Sequence, residues 1–278
     1  MLKLVILIIY FAVLIGIGLY CRKHATDVNG FVLGGRSVGP WLTAFAYGTS
    51  YFSAVVFVGY AGQFGWKYGI AATWAGIGNA IIGSLLAWVV LGRRTRIMSQ
   101  HLDSATMPQY FGKRFGSNPL KIGASVIIFI FLIPYTASLY NGLSRLFGMA
   151  FNIDYSVCII IMATLTAIYV IAGGYMATAI NDFIQGIIML FGIVAVIAAV
   201  IHSKGGFMSA LQGLANVSDP AVSDTPGIFA SFFGPDPFNL LCVVILTSLG
   251  TWGLPQMVQK FYAIDNEASI QKLTLIHI

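Results

Sequence analysis

Long apolar runs separated by short polar connectors dominate the chain. Each run is long enough to cross about 30 Å of hydrocarbon as a helix that rises about 1.5 Å per residue. Alternating segments of about ten residues, as in a membrane β-barrel, are not the pattern. The sequence therefore predicts an all-α polytopic membrane protein with about seven transmembrane helices, at residues 2–20, 41–64, 70–91, 122–147, 155–172, 183–201 and 238–258.

Composition narrows the class further. Of the 278 residues, 58% are hydrophobic and only 9% are charged, whereas soluble domains are about 25% charged. Too few charges remain to cover a soluble surface, which argues against a soluble enzyme or a disordered chain. The 31 glycines suit close packing between membrane helices. The three cysteines lie far apart, so neither a disulfide framework nor a zinc site is expected.

Basic residues mark the connectors rather than one polar face, which argues against nucleic-acid binding. Most of the 15 lysines and arginines fall on one predicted side of the membrane. The positive-inside rule places that side in the cytoplasm, and the N-terminus outside the plasma membrane. These residues are Arg22, Lys23, Arg36, Arg93, Arg94, Arg96, Lys113, Arg114, Lys121, Lys260 and Lys272.

Two runs carry interruptions at membrane depth. The second run contains a polar, small-residue patch at 47–53, and the last contains Gly250, Gly253 and Pro255. Glycine and proline weaken helices. Paired broken spans in corresponding repeats are typical of transporter sites, where free carbonyls bind Na⁺ and free N–H groups bind an anionic group. The alternative is that these small residues only make close helix contacts.

Four segments carry a family resemblance. They are GFVLGGRSVGPW at 30–41, TMPQYFGKRFG at 106–116, GGYMA with NDFIQ at 173–185, and GLP with KF at 253–261. In this order, and over nearly the whole chain, they resemble the sodium/solute symporter family.

The resemblance implies a LeuT-like inverted-repeat fold that is incomplete here. Residues 1–21 would form an extra N-terminal helix, 38–201 the first five-helix repeat, 202–237 an extracellular loop, and 238–278 the start of the second repeat. The chain would then be an N-terminal fragment, and the missing C-terminal half its partner. The alternative is a genuine half-length protein.

The resemblance also implies a sodium site. Backbone carbonyls of Thr49 and Phe52 would bind Na⁺ at the break in the family's second helix. Asp182 matches a family aspartate at the start of the sixth helix, and an acid at a membrane span is a functional hypothesis by default. The alternative for Asp182 is a helix N-cap.

Substrate contacts are expected from side chains on the second, fourth and seventh helices: Tyr51, Ser53, Tyr135 and Trp252. For Tyr135 and Trp252, ordinary packing is the alternative. Apolar residues at 54–57 argue against a sugar, whose hydroxyls need polar partners. Val55 and Thr247 replace aromatic residues of proline carriers, which argues against proline. A small amino acid or monocarboxylate-like solute is favoured.

The sequence therefore predicts a sodium-coupled secondary symporter working by alternating access, and not an enzyme. The motif GxxxxGK[ST] of ATP-driven transport does not occur. No cofactor is expected besides Na⁺ as the coupling ion; the expected partners are the solute and the bilayer. One alternative is a transporter-like sensor module of a membrane histidine kinase, and another is a half-transporter that assembles with a partner chain.

Overall fold

The computed structural model describes residues 2–51, 60–219 and 221–276. Within these ranges the chain is helical, and its only strand-like pairings are two isolated backbone bridges, Val38 with Ile264 and Asp219 with Ser223. The prediction of an all-α protein with long apolar helices is confirmed for these residues.

The α-helices follow one another along the chain with short turns between them. In order they are α1 Leu2–Cys21, α2 Val28–Leu33, α3 Pro40–Tyr51, α4 Ala61–Tyr68, α5 Thr73–Gly78, α6 Arg93–His101, α7 Met107–Phe115, α8 Asn118–Phe151, α9 Tyr155–Ser203, α10 Phe207–Ala215, α11 Pro237–Gly250, α12 Pro255–Ala263 and α13 Glu267–Ile276. Wider π-helical turns at Asn79–Leu86 and Trp88–Gly92 join α5 to α6.

By length and composition, three helical stretches in the described part of the chain are able to cross a membrane: Ala61–His101, Asn118–Phe151 and Tyr155–Ser203. A fourth span is possible if α11 and α12, bent by 53°, act together, and Val5–Cys21 is a shorter apolar helix. The predicted count of seven is therefore not confirmed. Run two passes through residues 52–59, outside the described ranges, and runs five and six are the two halves of α9, which meet at a kink at Gly174.

Helix α9 consists of two helices that meet at a kink and correspond to the two runs predicted to be separate. Together they span 49 residues, and the kink is at Gly174, which adopts φ 56° and ψ −149°. A Cβ atom at Gly174 would lie 2.7 Å from the carbonyl oxygen of Phe31. At the neighbouring Gly173, a Cβ would lie 2.6 Å from the carbonyl oxygen of Gly18, so α1 and α9 are in backbone contact there.

Aromatic packing holds α3, the π-helical segment and α12 together. The Trp88 ring lies 4.6 Å from the Phe261 ring and 5.4 Å from the Tyr47 ring, and all three side chains are buried. Two carbonyls of the π-helical segment accept side-chain donors: Tyr47 donates to Gly83 (3.1 Å) and Trp252 donates to Ile82 (3.0 Å). π-Helical turns are often found at functional sites, and this one faces the broken span.

Candidate functional site

A cavity of about 650 Å³ lies between α3, α5, α8 and the α11–α12 break. Its apolar wall includes Phe64, Ala75, Leu246, Leu254 and Met257. No acidic or basic side chain is among the described residues that line it, and its polar groups are hydroxyls and one carboxamide, from Ser50, Tyr51, Tyr60, Thr73, Asn79, Tyr135, Ser138, Thr247 and Thr251.

Asn79 is at the centre of the polar wall. Its Oδ1 accepts a hydrogen bond from the Tyr51 hydroxyl (2.7 Å), and its Nδ2 donates to the Thr247 hydroxyl (3.2 Å). The Tyr51 oxygen also lies 3.1 Å from the Thr247 carbonyl and 3.1 Å from the Thr251 hydroxyl. Asn79 therefore connects three elements of the bundle: α3, its own helix and α11.

The break between α11 and α12 borders the same cavity. A short 3₁₀ turn, Thr251–Gly253, separates the two helices, and α12 begins at Pro255. Gly250, Thr251 and Leu254 line the cavity at this point. Within the break the N–H of Leu254 donates to the carbonyl of Thr251 (3.2 Å), and the carbonyl of Leu254 accepts from Met257 and Val258 (3.0 Å each). Other backbone groups at a helix break are satisfied by side chains, water or a bound solute.

The expected sodium residues fall partly on the interface between α3 and α9. The Thr49 hydroxyl donates to the carbonyl of Phe45 (2.8 Å), and its methyl group would lie 3.1 Å from a Cβ on Gly186. Gly186 is one helical turn from Asp182 on the same face of α9, so Thr49 and Asp182 are close neighbours along this interface. Phe52 lies outside the described residues.

Asp182 is not at a helix start. It lies about two turns beyond the kink at Gly174, so the alternative that it caps a helix is wrong. Its carboxylate instead forms an ion pair with Lys260 of α12: Oδ2 lies 3.7 Å from Nζ, and the side chains are 24% and 7% exposed. Lys260 was expected in a connector after the last run; that prediction is wrong, because the residue lies in α12 and its side chain is buried.

The four expected substrate residues are not all brought together. Tyr51 and Tyr135 both line the cavity. Trp252 is absent from the described lining residues, and its indole donates to the carbonyl of Ile82 instead. Ser53 lies outside the described residues, so its role stays a prediction.

Sequence reasoning missed Asn79, Thr247 and Lys260 as site residues. Asn79 could have been predicted from the sequence, since a carboxamide in an otherwise apolar run often forms hydrogen bonds between membrane helices. Lys260 had none in its own neighbourhood, because its partner lies on a helix far away along the chain.

Two arginines, Arg36 and Arg96, donate hydrogen bonds to backbone carbonyls at the end of α12. Arg36 donates to the Ser99 hydroxyl (3.2 Å) and to the carbonyls of Ser99 (3.2 Å), Ser104 (2.8 Å) and Tyr262 (3.1 Å). Burial lowers the pKa of the Arg36 guanidinium, and the charge of Arg96 lowers it further, but a guanidinium stays charged at neutral pH. The positive φ of Arg36, 56°, is uncommon outside glycine and is held by these bonds.

Arg96 is the second arginine that bonds to the end of α12. Its guanidinium donates to the backbone carbonyls of Ile264 (2.6 Å) and Asp265 (2.9 Å) and to the Gln100 side chain (2.8 Å). The residue is 4% exposed. Because two of these bonds end on backbone carbonyls just after α12, they hold the position of that helix end.

We expect Arg96→Met to lower the free energy of unfolding by about 2 kcal/mol or more, because it leaves buried carbonyls unpaired. Arg94→Met is the matched control, since Arg94 is exposed on the same helix. Thermal unfolding of the purified protein in detergent measures both. Equal midpoints for the two variants would contradict the role of Arg96 in fastening α12.

Comparison with known proteins gives the family. The sequence model of the sodium:solute symporter family matches residues 31–278. The osmoregulated proline transporter OpuE of Bacillus subtilis (strain 168) is 31% identical over 261 residues, which cover 93% of this chain and 51% of that protein. The sodium/proline symporter of Staphylococcus aureus (strain JH9) is 32% identical over 282 residues, with 96% and 51% covered.

The chain spans about half the length of the curated relatives it matches. These relatives are transporters by name, and the family is one of symporters, so the prediction that the chain is not an enzyme is confirmed. The family match also covers the four segments on which the resemblance was based, apart from Gly30. The chain belongs to the sodium:solute symporter family.

Proposed function

We propose that this chain provides one side of the transport path of a sodium-coupled symporter for a small amino acid or monocarboxylate. The observation that carries the proposal is the broken span α11–α12, whose break opens into a cavity of about 650 Å³. Family membership and the names of the relatives support sodium coupling. Their names also make proline the first solute to test. Thr247 in the cavity wall counts against proline, because it replaces an aromatic residue of proline carriers.

The cavity chemistry supports a solute with an apolar body and few polar groups. Phe64, Ala75 and Leu246 offer apolar surface, whereas Asn79 and its hydroxyl neighbours offer hydrogen bonds on one side only. The start of α12 carries the positive end of the helix dipole, which favours a carboxylate. A sugar would need polar partners on several sides.

The proposed cycle combines this cavity with the expected sodium site. Na⁺ bound by carbonyls of Thr49 and Phe52, and by Asp182, would order the region beside the cavity before the solute binds. Rocking of the second repeat against the first would then expose the cavity to the other side of the membrane. The LeuT-like architecture, the plasma membrane location with an outside N-terminus, and a second repeat supplied by further sequence or a partner chain are parts of this proposal.

The test is uptake by the product of the whole natural reading frame that contains these residues, which we call the native product. Purified native product in lipid vesicles should accumulate radiolabelled proline, or another small amino acid or monocarboxylate, when an inward Na⁺ gradient is imposed. Vesicles with choline in place of Na⁺ and vesicles without protein are the controls. Uptake that is indifferent to the Na⁺ gradient would overturn the proposal.

A further inference from the structure

The ion pair between Asp182 and Lys260 joins two helices that sodium-coupled transport would have to move relative to each other. Asp182 lies on α9, and Lys260 lies on α12, the second half of the broken span. On its other side, the Lys260 ammonium lies 4.9 Å from the centre of the Tyr175 ring, a cation–π distance. The ammonium is thus held between a carboxylate and an aromatic face inside the bundle.

Lys260 is the only cationic side chain paired with Asp182 among the residues that the structure describes. The other ionisable groups whose electrostatics involve Asp182 are tyrosines, namely Tyr10, Tyr169 and Tyr175. A buried carboxylate without a counter-charge is strongly disfavoured. While it is ionised, Asp182 is stabilised by a nearby cation, and in this structure the ammonium of Lys260 is that cation.

The contact between the two groups is loose. The distance of 3.7 Å between Nζ and Oδ2 exceeds the ~2.7–2.9 Å of a charge-assisted hydrogen bond. The carboxylate is also the more accessible partner, 24% exposed against 7% for the lysine side chain. The carboxylate therefore has surface that the ammonium does not cover, as binding of a second cation requires.

A second acceptor for the ammonium lies one turn away. Gln256 is four residues before Lys260, and so on the same face of α12. Both polar atoms of its carboxamide are buried and have no hydrogen-bond partner among the described residues. If the ammonium leaves Asp182, the Gln256 oxygen is an unused acceptor within reach along the same helix.

We propose that Lys260 is a tethered competitor for Na⁺ at Asp182: the ammonium and a Na⁺ ion bind the carboxylate alternately. This inference rests on the proposed sodium coupling and specifies how one of its ligands is controlled. Na⁺ at Asp182 releases α12 from α9, and departure of Na⁺ lets Lys260 restore the contact. Binding of the ion is thereby linked to the distance between the two helices.

The first experiment measures Na⁺ binding directly, so that it does not depend on uptake. Thermal unfolding of purified native product is followed over a range of NaCl concentrations, with choline chloride keeping the ionic strength constant. In Lys260→Met the concentration of Na⁺ that gives half of the stabilisation should fall about tenfold or more, because the competing charge is gone. Lys260→Arg, which keeps the charge, should need as much Na⁺ as the wild type.

The double variant Lys260→Met with Asp182→Asn decides whether the gain depends on the carboxylate. It should lose the increased Na⁺ response, since neither a competitor nor a charged ligand remains. An unchanged Na⁺ response in Lys260→Met, or an increase that persists in the double variant, would overturn the proposal. These results are separable from a failure of sodium-coupled uptake, because no solute or gradient is used.

A second measurement needs no variant and covers the case in which Lys260→Met fails to fold. Acylation of lysine amines by acetic anhydride, read by mass spectrometry, reports how accessible Lys260 is. In wild-type native product, Na⁺ should raise the modification of Lys260 severalfold over choline, while the exposed Lys204 should be unaffected. Equal modification of Lys260 in the two salts would overturn the proposal.

Discussion

Replacing Asn79 by leucine is expected to lower the affinity for solute about a hundredfold, as a rise in KM for sodium-driven uptake. The physical reason is the number of groups that depend on this carboxamide. It accepts from Tyr51 and donates to Thr247, and Ser248 lies 3.4 Å from its oxygen. Leucine removes the carboxamide from this network, and each hydrogen bond lost in this way costs about 0.5–1.5 kcal/mol.

The loss should fall on binding rather than on folding alone. Hydroxyls released from Asn79 will turn toward one another or toward water in the cavity, so the wall that faces the solute changes its hydrogen-bond pattern. Tyr51→Phe removes one hydroxyl, with its contacts to Asn79, Thr247 and Thr251, but keeps the carboxamide, and it should raise KM by about tenfold. Both changes should leave the Na⁺ stabilisation of the solute-free protein in place.

Asn141→Leu is the matched control, because it makes the same substitution on another membrane helix. Asn141 is exposed and bonds to Arg145 and Tyr155, away from the lining of the cavity. Its KM should stay within about twofold of the wild type. A normal KM in folded Asn79→Leu protein would show that the cavity is not the solute site.

The apolar pattern predicted the helical class well because long apolar runs can hide their backbone polar groups from lipid only as helices. The break in the last run was equally readable, since Gly250, Gly253 and Pro255 all disfavour a continuous helix. In the structure the bend is at that place, with the 3₁₀ turn Thr251–Gly253 between α11 and α12. Local residue chemistry determined both features.

The boundary between runs five and six was predicted at the right place but too wide. The paired glycines do mark a break, since two helices meet at Gly174, but the residues from Tyr175 to Asp182 already belong to the second of them. The backbone departs from helical geometry at Gly174 alone. This places Asp182 inside the helix, where an isolated charge needs a partner, rather than at an end where it would cap.

The hydrogen-bond and ion-pair partners of the site residues could not be predicted from sequence patterns. Asn79 and Thr247 are 168 positions apart and meet only because α5 and α11 pack together. Lys260 has the spacing of a residue after a membrane span, and only the bend before α12 turns it into the bundle toward Asp182. Such pairings depend on how distant helices pack, which no single run determines.

Gly174→Ala is expected to be the most destabilising single substitution proposed for this chain. Its φ of 56° and ψ of −149° lie in a region that is essentially restricted to glycine, with a cost of about 1–3 kcal/mol for other residues. A Cβ would also meet the backbone of Phe31, 2.7 Å from its oxygen and 3.0 Å from its Cα. Backbone atoms cannot relieve this overlap by changing rotamer, as a side chain does. We therefore expect the free energy of unfolding to fall by about 3 kcal/mol or more.

Gly192→Ala in the same helix is the control for this substitution. No atom lies within 4 Å of a Cβ built at Gly192, and alanine is the better helix former by about 1 kcal/mol. Its thermal midpoint should equal or slightly exceed that of the wild type, whereas that of Gly174→Ala should fall strongly. Equal midpoints for the two variants would contradict the strained geometry at Gly174.

The kink also sets where Asp182 meets α12, so its removal has a second, separable effect. If Gly174→Ala protein stays folded by straightening α9, the segment that carries Asp182 must swing relative to α1 and α2, and the contact with Lys260 is lost. Modification of Lys260 by acetic anhydride should then be high in choline as well as in Na⁺. Folded Gly174→Ala protein with Lys260 still protected in choline would mean that α9 reaches α12 without the kink.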